Sequence, residues 1–170
     1  MKQNNVEVIC GSGLGKTALA VGKGVIALTR QQNVIMIQFL KGSQKQEGLD
    51  ALKCMEPRFK VFRFEKADMY FENLTEEERQ EELINIRNGF NFAKKVVATR
   101  GCDLLILDEI LGVLEKNIIA FEDFEKLITG KEEGMGLILT GRVFPQELRS
   151  YVDAVSSINY IEVDKDNQEC

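Results

Sequence analysis

The sequence predicts an α/β fold: a mostly parallel central sheet covered by helices on both faces, giving three layers. Three observations carry this. Short β-branched runs alternate with longer amphipathic stretches along the chain, the pattern of parallel strands joined by crossover helices. The runs at 33–39 and 103–107 are too apolar to have a solvated face, as strands inside a parallel sheet require. A glycine-rich turn stands directly between the first run and the first amphipathic stretch.

Val6 to Cys10 reads as the first strand, and the glycine-rich turn hands over to a helix from about Lys16 to Thr29. Asn33 to Phe39 reads as a second strand inside the sheet, and Lys60 to Phe64 as a third. Thr75-Glu76-Glu77-Glu78 opens a long helix: Thr75 can cap the free amides, Glu78 can complete a capping box, and the acidic first turn suits the positive dipole end. Leu83, Ile86, Phe90, Ala93 and Val97 then recur at helical spacing as its core-facing stripe. Asp103 to Leu107 is the most apolar strand and is expected at the centre. A helix near Ala120 to Ile128 leads to a buried strand, Gly136 to Thr140. Pro145 can start a short helix ending near Tyr151, because its missing amide is not needed in a first turn. Ala154 to Val163 is expected to form one or two final strands.

The bulk numbers fit one domain. With 170 residues, 44% hydrophobic and 29% charged, the chain has the profile of a globular protein with a full core. We read residues 1–163 as a single domain and 164–170 as a polar C-terminal tail. The net charge of -5, with no clustering of Lys and Arg, argues against a nucleic-acid partner. The N-terminal residues lack a signal-peptide pattern, and no segment approaches the roughly 20 apolar residues of a membrane span, so a cytoplasmic protein without a membrane partner is expected. Cys10, Cys54, Cys102 and Cys170 lack paired spacing, which speaks against a disulfide or a cysteine metal site. The chain has no histidine, which removes every mechanism that needs an imidazole base.

The candidate site begins at Gly11-Ser12-Gly13-Leu14-Gly15-Lys16-Thr17. Glycines leave no side chain between backbone and ligand, so successive amides can point at phosphate oxygens at the start of a helix. Lys16 supplies a positive charge, and the Thr17 hydroxyl is suited to ligate the Mg²⁺ that accompanies a triphosphate. The usual loop has glycine six residues before the lysine, where this chain has Cys10. The second element is Leu104-Leu105-Ile106-Leu107-Asp108-Glu109, an apolar run ending in two carboxylates where an acidic partner of Mg²⁺ is expected. Together they predict a P-loop (RecA-like) fold that binds a nucleoside triphosphate with Mg²⁺.

The specific chemistry must come from other residues. Four blocks resemble the P-loop ATP:corrinoid adenosyltransferases. The glycine loop is similar to that family's Gly-Asn-Gly-Lys-Gly-Lys-Thr, which shares the shifted glycines and so accounts for Cys10, although Leu14 replaces the loop lysine. Gln38-Phe39-Leu40-Lys41-Gly42 is close to Gln-Phe-Ile-Lys-Gly. Leu107-Asp108-Glu109-Ile110 followed by Leu114, and Leu139-Thr140-Gly141-Arg142 with Pro145 and Glu147-Leu148 behind it, complete the set. Val152-Asp153-Ala154-Val155 also looks like the family's Ala-Asp-Leu-Val, so order and spacing agree across residues 6 to 155.

The resemblance implies attack by a cobalt(I) corrinoid on the 5′ carbon of ATP, with triphosphate released. No protein nucleophile is then needed, because the corrinoid carries the reactivity. Lys16 and the loop amides would hold phosphates, Thr17 and Glu109 would ligate Mg²⁺ with Asp108 in support, and Lys41 and Arg142 would sit near the triphosphate. The family's corrinoid-facing Gly-Phe-Thr-Trp-Glu has its nearest match in Asp68-Met69-Tyr70-Phe71-Glu72, which makes Met69 and Phe71 candidate corrinoid contacts, Phe71 standing for the tryptophan. The same residues equally fit a loop merely packed onto the domain. The family's Lys-His-Pro-like segment and Gly-Ile-Glu close have no counterpart here. The resemblance also implies a homodimer. A non-catalytic ATP-binding paralogue acting through a protein partner, and a P-loop ATPase or phosphotransferase, remain the alternatives.

Overall fold

The computed structural model describes residues 5–41, 50–67 and 69–162. Six parallel strands form one sheet among them: β1 (Val6–Cys10), β2 (Val34–Gln38), β3 (Phe59–Arg63), β4 (Leu104–Asp108), β5 (Gly136–Thr140) and β6 (Ala154–Ser157). Their order is β3-β2-β4-β5-β1-β6. The expected parallel sheet is therefore present and wholly parallel, with β4 at its centre and β2 inside it. Four helices, α1 (Lys16–Thr29), α2 (Glu76–Ala98), α3 (Ile110–Glu115) and α4 (Phe121–Thr129), join the strands, with 3-10 turns at Asp50–Met55, Phe71–Asn73 and Gln146–Ser150.

Alternation along the central strands builds two cores, because successive strand residues point to opposite faces. Leu105, Leu107, Leu137 and Leu139 pack with Ile86, Phe90 and Ala93 of α2 and Phe124 of α4. Ile106, Ile138, Met36 and Ile9 pack on the other face with Ala20 and Ala27 of α1. Those two cores are the three-layer architecture. The capping box at Thr75 is present in full, its hydroxyl accepting from the Glu78 amide at 3.3 Å and the Glu78 carboxylate accepting from the Thr75 amide at 2.9 Å. Such a cap stabilises a helix by about 1 kcal/mol. Leu83 is only half-buried, and the buried face of α2 includes Glu82 instead.

Three elements depart from the sequence reading. The last strand ends at Ser157 and not near Val163, which lies outside the described residues along with the 164–170 tail and Cys170. Its ladder partner β1 ends at Cys10, paired with Ser157, where the chain turns into the glycine loop; the Ile158 amide still donates to the Cys10 carbonyl at 2.8 Å. The segment 145–151 is a 3-10 turn that Pro145 precedes in an extended conformation, not a helix it begins. Residues 110–115, unassigned in the sequence, form a helix whose Ile110, Leu111, Val113 and Leu114 are all buried.

Helix α1 lies tightly on the sheet at one glycine and loosely at another. A Cβ on Gly24 would meet the Phe59 ring at 2.5 Å, whereas one on Gly22 would meet nothing within 4 Å. Gly22→Ala should therefore raise stability by about 0.5–1 kcal/mol through helix propensity alone. Gly24→Ala should lower it by about 1–3 kcal/mol through overpacking, and urea unfolding of both variants reads the opposite signs.

Candidate functional site

The strand order leaves β5 between β1 and β4, so the loop after β1 and the acids ending β4 open into one crevice at the carboxyl edge of the sheet. Gly11 has φ +114, and a Cβ there would lie 2.2 Å from the Ile158 carbonyl oxygen. Only glycine fits. Gly15 stands before α1 at φ +99, which again excludes an ordinary side chain. Cys10, in place of the usual glycine, is the last residue of β1 and is buried in the core, which raises its thiol pKa. The Lys16 ammonium donates to the carbonyls of Gly11 and Gly13, each at 2.9 Å, and so folds the loop around its own charge. Leu14 stands out into solvent at the loop tip.

Asp108, fully buried at the end of β4, is the hub. Its carboxylate accepts from the Thr17 hydroxyl at 3.0 and 3.1 Å, from the Thr140 hydroxyl at 2.7 Å and from the Gln38 side-chain amide at 2.9 Å. Gln38 is held in turn by Arg63, whose Nε donates to its Oε1 at 2.6 Å. The Lys41 ammonium lies 3.9 Å from Asp108, 3.4 Å from Glu109 and 3.5 Å from the Thr17 hydroxyl. Glu109 has left-handed backbone at φ 63, uncommon for a residue with a side chain, and its amide donates to Thr140 at 2.8 Å. That turn brings its carboxylate back to Lys41.

A second group forms the rim. The Phe71 ring has Arg79 5.7 Å and Lys116 6.0 Å from its centroid, at cation–π distance. Lys116 also pairs with Glu72 at 2.6 Å, and this hydrogen bond, aided by the charge of Arg142, holds the Glu72 pKa below the usual carboxylate value. Arg142 is exposed, and its carbonyl accepts from the Gly11 amide at 2.9 Å. Met69 and Tyr70 are about half exposed, at 46% and 52%.

The structure thus brings Lys16, Thr17, Lys41, Asp108 and Glu109 into one cluster on the 11–17 loop. It sets Arg142 at the loop edge, and Phe71 with its cations at the rim. Gly42 and Asp68 lie outside the described residues. As site residues in their own right, the sequence reading missed Gln38, Thr140 and Arg63. All three end parallel strands, and that position, where ligands of such sheets bind, was the available signal. The oxygen donors of Thr17, Asp108 and Glu109 suit a hard cation that takes one or two carboxylates beside substrate phosphates. The described residues hold no cluster of three or more acidic, cysteine or histidine ligands for a dedicated metal cage.

Comparison with known proteins places nearly the whole chain in one family. The family described as ATP:corrinoid adenosyltransferase BtuR/CobO/CobP matches residues 2–168. The chain is similar to the corrinoid adenosyltransferase of Escherichia coli K12, 23% identical over 89% of this chain and 74% of that protein. It is equally similar, with the same coverage, to the corrinoid adenosyltransferase CobA of Salmonella typhimurium LT2. An uncharacterised protein of Nostoc sp. PCC 7120, all2391, is 26% identical over 90% of this chain and 43% of its own length.

Thr140 both supports Asp108 and receives the Glu109 amide, so its hydroxyl is the test of the hub. Thr140→Val should cost roughly 1–3 kcal/mol of folding stability, because it strands a buried acceptor and a backbone donor. Thr140→Ser should cost clearly less, and chemical denaturation of the two variants measures the difference.

Proposed function

The chain belongs to the ATP:corrinoid adenosyltransferase BtuR/CobO/CobP family, and from that premise we propose how its own residues carry the reaction. It is an ATP:corrinoid adenosyltransferase, a transferase that moves the adenosyl group of ATP to a corrinoid. The observation that carries the assignment of roles is the convergence of Lys16, Thr17, Lys41, Asp108 and Glu109 at one carboxyl edge.

In our reading the phosphates of ATP lie on the amides of residues 11–17. The Lys16 ammonium, now on two loop carbonyls, turns to phosphate oxygens. Thr17, Asp108 and Glu109 would hold Mg²⁺, which would supply charge neutralisation at the triphosphate. Lys41 faces the same oxygens from across the crevice, and Arg142 closes the loop edge. Met69 and Phe71 meet the corrinoid at the rim. The cobalt(I) corrinoid brings the electron pair that forms the cobalt–carbon bond to C5′. The C5′–O bond breaks, and its electrons leave with triphosphate. The protein then needs to position two substrates and to stabilise the leaving charge, and no proton-transfer residue is required. A chain without histidine suffices for that.

A homodimer belongs to the same reading and rests on the family resemblance; a cytoplasmic location is proposed with it. No helix among the described residues is long and apolar enough to cross a membrane.

An anaerobic assay with a cobalt(I) corrinoid and ATP tests these roles. The wild-type protein should form a cobalt–carbon product with one triphosphate per turnover, and Lys16→Ala should lower kcat/KM by roughly 100-fold or more. Chelation of divalent cations should suppress the rate and readdition of Mg²⁺ should restore it. Release of ADP would point instead to phosphoryl transfer, and tight ATP binding without product to a non-catalytic role.

A further inference from the structure

The last residues of four neighbouring strands form one row across the carboxyl edge of the sheet. Arg63 ends β3, Gln38 ends β2, Asp108 ends β4 and Thr140 ends β5. Gln38 is in register with Arg63 on one side and with Asp108 on the other. Hydrogen bonds run along this row. Arg63 Nε donates to Gln38 Oε1 at 2.6 Å, Gln38 Nε2 donates to Asp108 Oδ2 at 2.9 Å, and the Thr140 hydroxyl donates to Asp108 Oδ1 at 2.7 Å from the other side. Arg63 is partly buried on the edge strand, whereas Gln38 and Asp108 are sealed in the interior.

The row has one direction. A guanidinium nitrogen can only donate and an ionised carboxylate can only accept, so the amide between them has a single orientation that satisfies both. Turned over, Gln38 would set its oxygen against a carboxylate and its NH2 against a guanidinium. The guanidinium also polarises the amide, which makes Nε2 a stronger donor to Asp108. With Gln38 on one oxygen and Thr140 on the other, the plane of the carboxylate is fixed, and the Thr17 hydroxyl meets its two oxygens at 3.0 and 3.1 Å. A hydroxyl has one proton to give. Spent on Asp108, it leaves the Thr17 lone pairs for the crevice, where the Lys41 ammonium stands 3.5 Å away.

We propose that Arg63 is a positioning residue of the nucleotide site, acting from the edge of the sheet through the Gln38 amide. Arg63 locks the amide, the amide and Thr140 lock the Asp108 carboxylate, and the carboxylate aims the Thr17 oxygen. Its own charge does not meet the triphosphate. The lock exists without ligand; its consequence for Mg²⁺ rests on the function proposed above, in which Thr17 and Asp108 hold the cation.

A double-mutant cycle on Arg63→Met and Gln38→Met tests this, because a cycle separates the Arg63–Gln38 interaction from whatever else either residue touches. Methionine keeps an unbranched stem and removes the polar end in each case. Two quantities are measured for the wild type, both single variants and the double variant: the thermal midpoint without ligand, and the calorimetric affinity for ATP with Mg²⁺ and with chelator. Arg63→Met should lower the midpoint by about 3 °C or more. It should weaken ATP binding about threefold or more with Mg²⁺, and by less than about 1.5-fold with chelator. Once Gln38 is Met there is no amide left to hold, so adding Arg63→Met should change the affinity with Mg²⁺ by less than about 1.5-fold and barely move the midpoint. An equal loss with and without Mg²⁺ would put Arg63 on the triphosphate itself and overturn the proposal. Additive effects of the two substitutions, or an Arg63→Met protein that matches the wild type, would overturn it as well. If the wild type binds ATP no better with Mg²⁺, the metal reading fails while the midpoint cycle still reads the lock. Should Gln38→Met not fold, the split between the two affinities in Arg63→Met alone decides.

Discussion

A single carboxylate without contact with solvent organises this molecule. Asp108 is fully buried, and taking such a charge out of water costs several kcal/mol unless hydrogen bonds and an opposite charge surround it. Its partners arrive from three separate elements: Thr17 from the start of α1, Gln38 from the end of β2 and Thr140 from the end of β5, with Lys41 supplying the cation. Satisfying one acid therefore aligns the carboxyl ends of the central strands with the glycine loop. The geometry that makes Asp108 tolerable is the geometry on which the proposed phosphate site rests.

The surrounding packing holds that arrangement by sterics as well as by charge. Gly11 and Gly13 have no room for a Cβ because the segment after β6 lies on them, with the Ile158 amide donating to Cys10 and its carbonyl accepting from Gly13. Gly112 on α3 is likewise close to Leu40, which ties the Lys41 turn to the helix that Glu109 begins. The functional consequence is a division of labour. Strand ends and the glycine loop surround Asp108, while the rim around Phe71 is built from 3-10 turn, exposed Tyr70 and long cationic side chains. That contrast suits the proposed reading, in which the loop side takes ATP and the rim takes the corrinoid.

Much of this was legible in the residue order. The strand from Val6 to Cys10, the glycine loop and the Leu104–Asp108 strand could be read because local pattern and tertiary role coincide there: apolar runs are buried runs, and glycines sit where φ is positive. The resemblance to one family was legible for the same reason. Helix α3 was hidden because its six residues are nearly all apolar and so show no period. The early end of β6 depends on where β1 stops pairing, which is a long-range fact. Gln38 and Thr140 are polar residues closing apolar strands, legible in principle but ambiguous without knowing that their strands flank Asp108. Glu82 was the least accessible: it occupies a helix face whose other members are apolar, and only the approach of the Lys66 and Ala67 amides explains a carboxylate there.

In the proposed reading Asp108 is both structural hub and metal-side acid, and the affinity of Asp108→Asn for ATP, measured calorimetrically with Mg²⁺ and with chelator, tests that most directly. The wild-type protein should bind ATP at least about tenfold more tightly with Mg²⁺ than without, and the variant should lose most of that difference while remaining folded. An Asp108→Asn protein that keeps the full Mg²⁺ dependence would contradict the central role given to this carboxylate.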